Sequence, residues 1–289
     1  MELFYAWTAS IASGFTPIVI KASSKSLIKN AWLFNILWIA CSIPLVVIYA
    51  LIAGGGMPKD WTYIILMSAS YAAFYICYTA SLYRIDVSVM APLFSLRTLF
   101  AVLLGVIFLH ENLSLLNIVL IVLIVLVSPF SAYNEKLRFK AFFDPAVLLA
   151  VLSMFVLALV GYFTNRSVAI NGYASTLLWQ DILVLLFLLP TLKFAQIKQQ
   201  SFGKSTILPL VFLGIFDFTY TATATAAYAA NLAISSVIVS LPLSMLFAAI
   251  LSVKYGELLE RNSFKVYAIR FSAAGVMVGS AILLSAKYR

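Results

Sequence analysis

Long apolar runs, each separated from the next by a few polar, glycine or proline residues, fill the chain from end to end. A helix needs about 20 mainly apolar residues to cross a bilayer, and each run has about that length. The pattern therefore predicts ten transmembrane helices and leaves no room for a soluble domain. The predicted spans are 3–22, 31–53, 61–83, 87–109, 114–133, 145–165, 175–194, 205–229, 233–253 and 264–286.

The first five spans resemble the last five. A shift of 146 residues, without a gap, carries Glu111 onto Glu257 and aligns further polar and proline positions. Agreement of several weak matches on one offset indicates an internal repeat. The chain is therefore predicted to consist of two five-helix repeats, residues 1–143 and 144–289, within one transmembrane domain.

The odd number of spans in each repeat decides how the repeats are related. The second repeat must enter the membrane from the face opposite to the first, so the repeats are inverted. The predicted fold class is an all-α integral membrane protein with ten transmembrane helices in two five-helix inverted repeats. Many secondary transporters use this construction to place one binding site at the midplane and open it to each side in turn.

Composition excludes several other classes of protein. Hydrophobic residues make up 64% of the chain, charged residues only 10%, and the mean hydropathy is +1.06, whereas globular domains have about 25% charged residues. One His and two Cys cannot build a multi-ligand zinc or iron–sulfur site, and we expect no metal and no cofactor. The net charge of +9 is spread over short loops, which is typical of membrane topology and not of nucleic-acid binding.

The basic residues also predict the orientation. Thirteen Lys and Arg residues flank one face of the predicted bundle and four flank the other. Since positive loops stay in the cytoplasm, we expect both termini outside a multi-pass protein of the inner (plasma) membrane.

Several motifs indicate a known family. Spans 3 and 8 end in the related segments Ala80–Asp86 and Ala226–Leu232, spans 4 and 9 end just before Glu111 and Glu257, and Pro242 lies within span 9. In these features the chain resembles the drug/metabolite transporter superfamily, specifically its ten-helix EamA-type members. The resemblance implies a transporter whose second and seventh helices help to form gates.

Two ionisable residues lie deep inside predicted spans. By helical rise, Arg97 is ~16 Å and Asp217 ~18 Å from the cytoplasmic face, so both reach the midplane. A charge there costs roughly 2.5–3.5 kcal/mol on insertion scales and therefore needs shielding. Two interpretations stay open. The residues either form a pair that binds the two ends of a zwitterionic solute, or they form an ion pair that only holds spans 4 and 8 together.

Tyrosines accompany these charges. Tyr71, Tyr75 and Tyr78 recur at helical spacing in span 3, and Tyr220 follows Asp217 on the same face of span 8. An aromatic wall suits stacking on a ring or enclosing a cation. Packing between helices is the alternative, although buried tyrosine hydroxyl groups need partners that lipid cannot supply. We expect these four residues to line the substrate site.

Asn35 and Asp181 occupy equivalent positions in spans 2 and 7. The family resemblance implies a gating role for both residues. The alternative is that they are wetted at the depth of the lipid headgroups.

The sequence favours a secondary transporter that moves a small polar metabolite by alternating access, most of all an amino acid or an amino-acid-like solute. The alternatives are an exporter of organic anions or drugs, a lipid flippase and a structural membrane subunit. Protons are a candidate coupling ion. An intramembrane enzyme is not favoured, because no protease-like motif surrounds the single histidine, His110.

Overall fold

Apolar helices dominate the computed structural model, which describes residues 2–24, 30–82, 87–132, 145–195, 204–252 and 264–287. These residues form eleven α-helices. They are α1 (Glu2–Ser24), α2 (Ala31–Ile52), α3 (Thr62–Leu82), α4 (Val87–Phe108), α5 (Leu115–Val127), α6 (Pro145–Asn171), α7 (Tyr173–Leu188), α8 (Lys204–Ala230), α9 (Leu232–Val239), α10 (Leu243–Ser252) and α11 (Phe264–Lys287).

Six of the described helices are long and apolar enough to cross a membrane, and shorter apolar segments lie at Leu96–Phe108 and Leu115–Phe130. Only helices and closed barrels satisfy their backbone polar groups within lipid. The prediction of an all-α, multi-pass membrane protein is thus confirmed.

The ninth predicted span is not one helix. We expected a continuous span over 233–253, but α9 ends at Val239 and α10 begins at Leu243. Pro242 explains this break, because proline has no N–H for the helical ladder and its ring clashes with the preceding turn. Every residue of α9 is buried, so the break lies inside the protein and not at its surface.

Two other helices change form at a proline. α5 continues as a 3-10 turn over Ser128–Ala132, and α7 continues as a 3-10 turn over Leu189–Phe194. Each turn has proline as its second residue, where the tighter geometry tolerates the missing N–H. Each of the predicted spans 114–133 and 175–194 thus consists of an α-helix followed by a 3-10 turn.

The helices pack in equivalent pairs. The most extensive contact between two helices joins α3 to α6, and the next most extensive joins α1 to α8. The 146-residue shift exchanges these two pairs, as it would if the two halves were related by a two-fold axis. The predicted boundary between residues 143 and 144 lies outside the described residues.

Glu111 joins the two halves at the start of α9. Its Oε1 and Oε2 accept hydrogen bonds from the backbone N–H groups of Leu232 (2.5 Å) and Ala233 (2.9 Å). Asn231 caps the same helix end through the N–H of Ile234. Burial raises the pKa of the Glu111 carboxyl group, and the two backbone N–H groups act in the opposite direction. A carboxylate is favourable here because the helix N-terminus carries positive partial charge.

We expect Glu111→Gln to lower the free energy of unfolding by about 1–2 kcal/mol, because the charge and one of the two acceptor oxygens are lost. The measurement is the thermal unfolding midpoint of the purified protein in detergent. Asn112→Ala, a change at the exposed neighbouring position, is the control. An unchanged unfolding midpoint for Glu111→Gln would show that the hydrogen bonds of the Glu111 carboxylate contribute nothing to the stability of the folded protein.

Candidate functional site

The candidate site lies in the middle of the bundle. Arg97 is close to the midpoint of α4, and Asp217 is at the midpoint of α8. Their side chains are only 5% and 3% exposed. In a membrane protein such buried ionisable residues usually mark a substrate or ion pathway.

Tyrosine hydroxyl groups surround Arg97. Its Nη2 donates to the Tyr220 hydroxyl at 3.2 Å and to the Tyr228 hydroxyl. The guanidinium carbon also lies 5.8 Å from the centre of the Tyr228 ring, within the range of a cation–π interaction. Nη2 makes both of the hydrogen bonds that join Arg97 to other described residues.

Arg97 therefore does not form the expected pair with Asp217. In the part of the chain that the structure describes, the hydrogen bonds of Arg97 go to two neutral tyrosines, and Asp217 faces other groups. Among the described residues the two side chains form no ion pair, because tyrosines on α8, at positions 220 and 228, accept the hydrogen bonds of the guanidinium group. That Arg97 and Asp217 lie close together across a central cavity stays a prediction.

Asp217 lies where α8 approaches α2. A Cβ atom on Gly214, one turn earlier, would come within 2.7 Å of the Cys41 carbonyl oxygen, so only glycine permits this approach. The Asp217 carboxyl group interacts with Ser42, Trp38 and Tyr75.

Two buried polar atoms at this end of the site lack a hydrogen bond of normal geometry. The Asp217 Oδ2 and the Trp38 Nε1 make no hydrogen bond of normal geometry. Such atoms are rare in proteins and each calls for an explanation. This end of the site is therefore polar, buried and incompletely satisfied.

Asp181 belongs to the same end. Its Oδ2 accepts from the Ser42 hydroxyl and its Oδ1 accepts from the Gln180 amide, both at 3.3 Å. Asp181 and Asp217 are close enough to interact electrostatically. With 3% of its side chain exposed, Asp181 is not wetted at headgroup depth.

Asn35 is buried as well, with 1% exposed. Its amide nitrogen donates to the Tyr75 backbone oxygen at 3.2 Å, and its Oδ1 accepts from the Thr79 hydroxyl at 2.8 Å. These bonds tie α2 to α3 at the level of the tyrosines, so headgroup wetting is excluded here too. The gating roles of Asn35 and Asp181 stay predictions.

An aromatic row connects the two ends of the site. Tyr71 stacks on Tyr75 with ring centres 6.1 Å apart, and the Trp38 ring meets Tyr75 edge-on at 5.1 Å. Tyr71 lies within electrostatic range of Arg97, whereas Tyr75 faces Asp217. Tyr78 is buried and stacks on Phe74 at 5.1 Å, so it extends the wall beside the Tyr71–Tyr75 stack.

Four residues of this site were not among those predicted to bind substrate. They are Tyr228, Ser42, Trp38 and Gln180. Trp38 and Ser42 follow Asn35 at the third and seventh positions, which is the spacing of one helix face. Helical spacing also puts Tyr228 on the face of span 8 that carries Asp217 and Tyr220, the face assigned to the cavity, although Tyr228 was not named as a binding residue. The same spacing, applied to span 2 from Asn35, would have found Trp38 and Ser42.

Comparisons with known proteins agree with this architecture. Residues 1–130 match the family model described as the EamA-like transporter family. This stretch of the chain is similar to that family. The resemblance seen in the motifs of the sequence is thereby confirmed.

The similarity in fold to a known structure extends beyond residue 130. A protein of known crystal structure, 15% identical in sequence, superimposes with a TM-score of 0.77 over 97% of this chain and 94% of its own. At that identity the match shows the fold alone. No curated protein matches the chain.

The family whose model matches residues 1–130 is a family of transporters. Six described helices of this chain are long and apolar enough to cross a membrane, as a multi-pass membrane protein requires.

Proposed function

We propose that this EamA-like protein is a secondary transporter that carries an amino acid or an amino-acid-like solute by alternating access. The observation that carries the proposal is that two buried ionisable side chains of opposite type, Arg97 and Asp217, have different neighbours. Arg97 donates to the hydroxyl groups of Tyr220 and Tyr228. Asp217 has no basic partner among the described residues, and the Tyr71–Tyr75 stack has its first ring near Arg97 and its second near Asp217. A zwitterion can satisfy both ends together.

The Arg97 end suits a carboxylate. A guanidinium group is planar and can donate two parallel hydrogen bonds to a carboxylate. The Tyr220 and Tyr228 hydroxyl groups, already bonded to Nη2, hold the fork in place. A hydroxyl group can also donate to an anion, so the tyrosines add donors to the same end of the site.

The Asp217 end suits an ammonium group. Its Oδ2 has no well-formed hydrogen bond and can accept one from the solute. The Tyr75 and Trp38 rings beside it can attract a cation through their π faces. The solute side chain would then lie along the Tyr71–Tyr75 stack.

The broken ninth span supports alternating access. Discontinuous helices near the midplane and repeated halves are common in transporters that expose one site to each side in turn. In the repeat, Arg97 is equivalent to Leu243, the first residue of α10. The charged position of one half thus corresponds to the helix break of the other half.

Uptake into proteoliposomes tests this proposal. The protein is reconstituted and supplied in turn with each of the twenty ¹⁴C-labelled L-amino acids. We expect accumulation of at least one amino acid above empty liposomes, and loss of that uptake in Arg97→Leu. No uptake of any amino acid in either direction would contradict the proposal.

An organic-anion exporter is the second candidate. It is favoured by one observation, namely that the described hydrogen bonds of Arg97 go only to neutral hydroxyl groups. An anion without an amine could bind there and leave Asp217 unused. Labelled benzoate in the same assay separates the two functions, because this candidate predicts uptake that Arg97→Leu abolishes and Asp217→Asn leaves intact.

We also propose that the protein lies in the inner (plasma) membrane with both termini outside. Lys59 and Lys193 are exposed and lie on opposite predicted faces. In a background that lacks Cys41 and Cys77, a membrane-impermeant thiol reagent added to whole cells should label Lys59→Cys at least about tenfold more than Lys193→Cys. The opposite preference would reverse the orientation and leave the repeat intact.

A further inference from the structure

The loop that joins α2 to α3 is tied to the other half of the chain. This loop covers residues 53–61, and its partners lie at the end of α6 and in the first turns of α7. The Asp60 N–H donates to the Asn171 Oδ1 at 2.9 Å, and the Asn171 amide donates back to the Asp60 backbone oxygen at 2.8 Å. One side chain thus pairs with both backbone groups of a single loop residue.

Two further hydrogen bonds hold the middle of the loop. The Gly56 N–H donates to the Ser175 hydroxyl at 3.2 Å, and the Trp179 indole N–H donates to the Gly56 backbone oxygen at 3.0 Å. The Trp179 ring also meets the Trp61 ring edge-on, with ring centres 4.9 Å apart. All these contacts cross from the first half of the chain to the second.

An apolar layer lies between this loop and the candidate site. It begins about one helical turn from Ser42, Asp181 and Asp217, on the side of these residues that leads to the loop. Its members come from α2, α7 and α8 and are all buried. They are Val46, Ala50, Leu177, Leu178 and Ala222. A polar solute cannot cross such a layer while its side chains stay packed, because the solute would lose its hydration without gaining hydrogen bonds. The site is therefore closed on this face.

The repeat does not supply the same acceptors at the opposite face. Asn171, Ser175 and Trp179 have equivalents that are found by the 146-residue shift. These equivalents are Lys25, Lys29 and Leu33. Lysine and leucine side chains have no hydrogen-bond acceptor, so the acceptor oxygens of the asparagine and the serine are not repeated. Two identical halves would close both faces equally well, whereas unequal contacts favour the state in which the loop face is closed.

We propose that loop 53–61 is a latch, which holds the transporter closed at this face and must leave α6 and α7 each time the site opens there. This inference rests on the alternating access of the proposed function. The latch lies on the outer face in the proposed orientation. The resting protein therefore keeps its site closed to the outside.

Thiol labelling behind the latch tests the proposal without any solute. In a background that lacks Cys41 and Cys77, Val46→Cys puts a small and fully buried thiol into the apolar layer. The purified protein is treated in detergent with a water-soluble maleimide. We expect Asn171→Ala to raise the labelling rate about fivefold or more, because two hydrogen bonds are lost and each changes the opening equilibrium by about twofold or more. Trp179→Phe keeps an aromatic ring, removes one donor and should raise the rate less.

Asn30→Ala is the matched control. The Asn30 amide also joins the two halves through a backbone oxygen, that of Phe194 at 2.9 Å, but it does so at the opposite end of α2. Its replacement should not speed the labelling of Val46→Cys. Val147→Cys, which is buried at the far end of α6 from Asn171, should be labelled at the same rate with and without Asn171→Ala. If Asn171→Ala leaves the labelling of Val46→Cys unchanged, or speeds that of Val147→Cys equally, the latch is overturned.

A reversible cross-link tests whether transport needs release of the latch. In the same cysteine-free background, Gly56→Cys has open space for its side chain, and Ser175→Cys puts a second thiol beside it, since the Gly56 N and the Ser175 Oγ are 3.2 Å apart. With an amino acid that passes the uptake screen, oxidation of the two thiols to a disulfide should abolish uptake, and reduction should restore it. Oxidation should not affect uptake by Gly56→Cys alone.

Full uptake by the cross-linked protein would overturn the required release. Should no amino acid be carried, the proposed function fails, while the labelling rates still decide whether the loop is a latch.

Discussion

Arg97→Lys is expected to weaken binding of the transported amino acid by about 10- to 100-fold while the protein stays folded. Lysine keeps the positive charge, so Tyr220 and Tyr228 still have a cation to bond. It lacks the planar fork, and one charged hydrogen bond to the carboxylate is lost, worth about 1.5–3 kcal/mol. The affinity is measured by isothermal titration in detergent, with the unfolding midpoint recorded on the same samples.

Arg166→Lys is the matched control for this change. Arg166 also lies over a tyrosine ring, with its guanidinium carbon 5.8 Å from the centre of Tyr162, and donates to the Phe108 backbone oxygen at the end of α4. It lies away from Asp217, at the predicted outer face. Its replacement should leave the affinity within about twofold. An equal loss of affinity in both variants would mean that arginine replacement acts through the fold and not through the site.

A double-mutant cycle should separate the two possible partners of Arg97. With Arg97→Leu and Tyr228→Phe, we expect a coupling of about 1.5–3 kcal/mol in unfolding free energy, because a hydrogen bond from a charged group is removed. With Arg97→Leu and Asp217→Asn, the coupling should be below about 0.5 kcal/mol, the range of independent sites. A direct ion pair would give the reverse order, since loss of one buried partner strands the other.

The cycle also decides between the two interpretations of the charges. Tyr228→Phe keeps the aromatic ring 5.8 Å from the guanidinium and removes only the hydroxyl group. A large coupling free energy between Arg97 and Asp217 would mean that the two residues form a structural ion pair that holds α4 against α8. In that case the substrate role of both residues would have to be given up.

The sequence predicted the helices well because bilayer thickness imposes a strong constraint on each span. α2, α3 and α4 begin and end within two residues of the predicted spans. The sequence missed the break in the ninth span although Pro242 was evident. Proline is tolerated within other helices of this chain, such as Pro44 in α2, so its presence alone does not show where a helix stops.

The sequence predicts the burial of the two ionisable residues and not their contacts. Arg97 and Asp217 lie at the midpoints of α4 and α8 and are buried, but helical rise does not fix how far apart the two helices lie or how each helix is rotated. Those quantities depend on packing between helices, for example on Gly214 allowing α2 to approach α8. Asp181 shows the same limit, because its distance from Asp217 depends on the packing of α7 and not on its position in the repeat.

Binding of three related ligands tests the central claim, which is that one site holds the two ends of a zwitterion. The ligands are the amino acid identified by uptake, its decarboxylated amine and its N-acetyl derivative. Arg97→Lys should weaken binding of the amino acid and of the N-acetyl derivative, and it should leave binding of the amine unchanged. Asp217→Asn should weaken binding of the amino acid and of the amine, and it should leave binding of the N-acetyl derivative unchanged. Equal weakening of all three ligands by either variant would contradict the account.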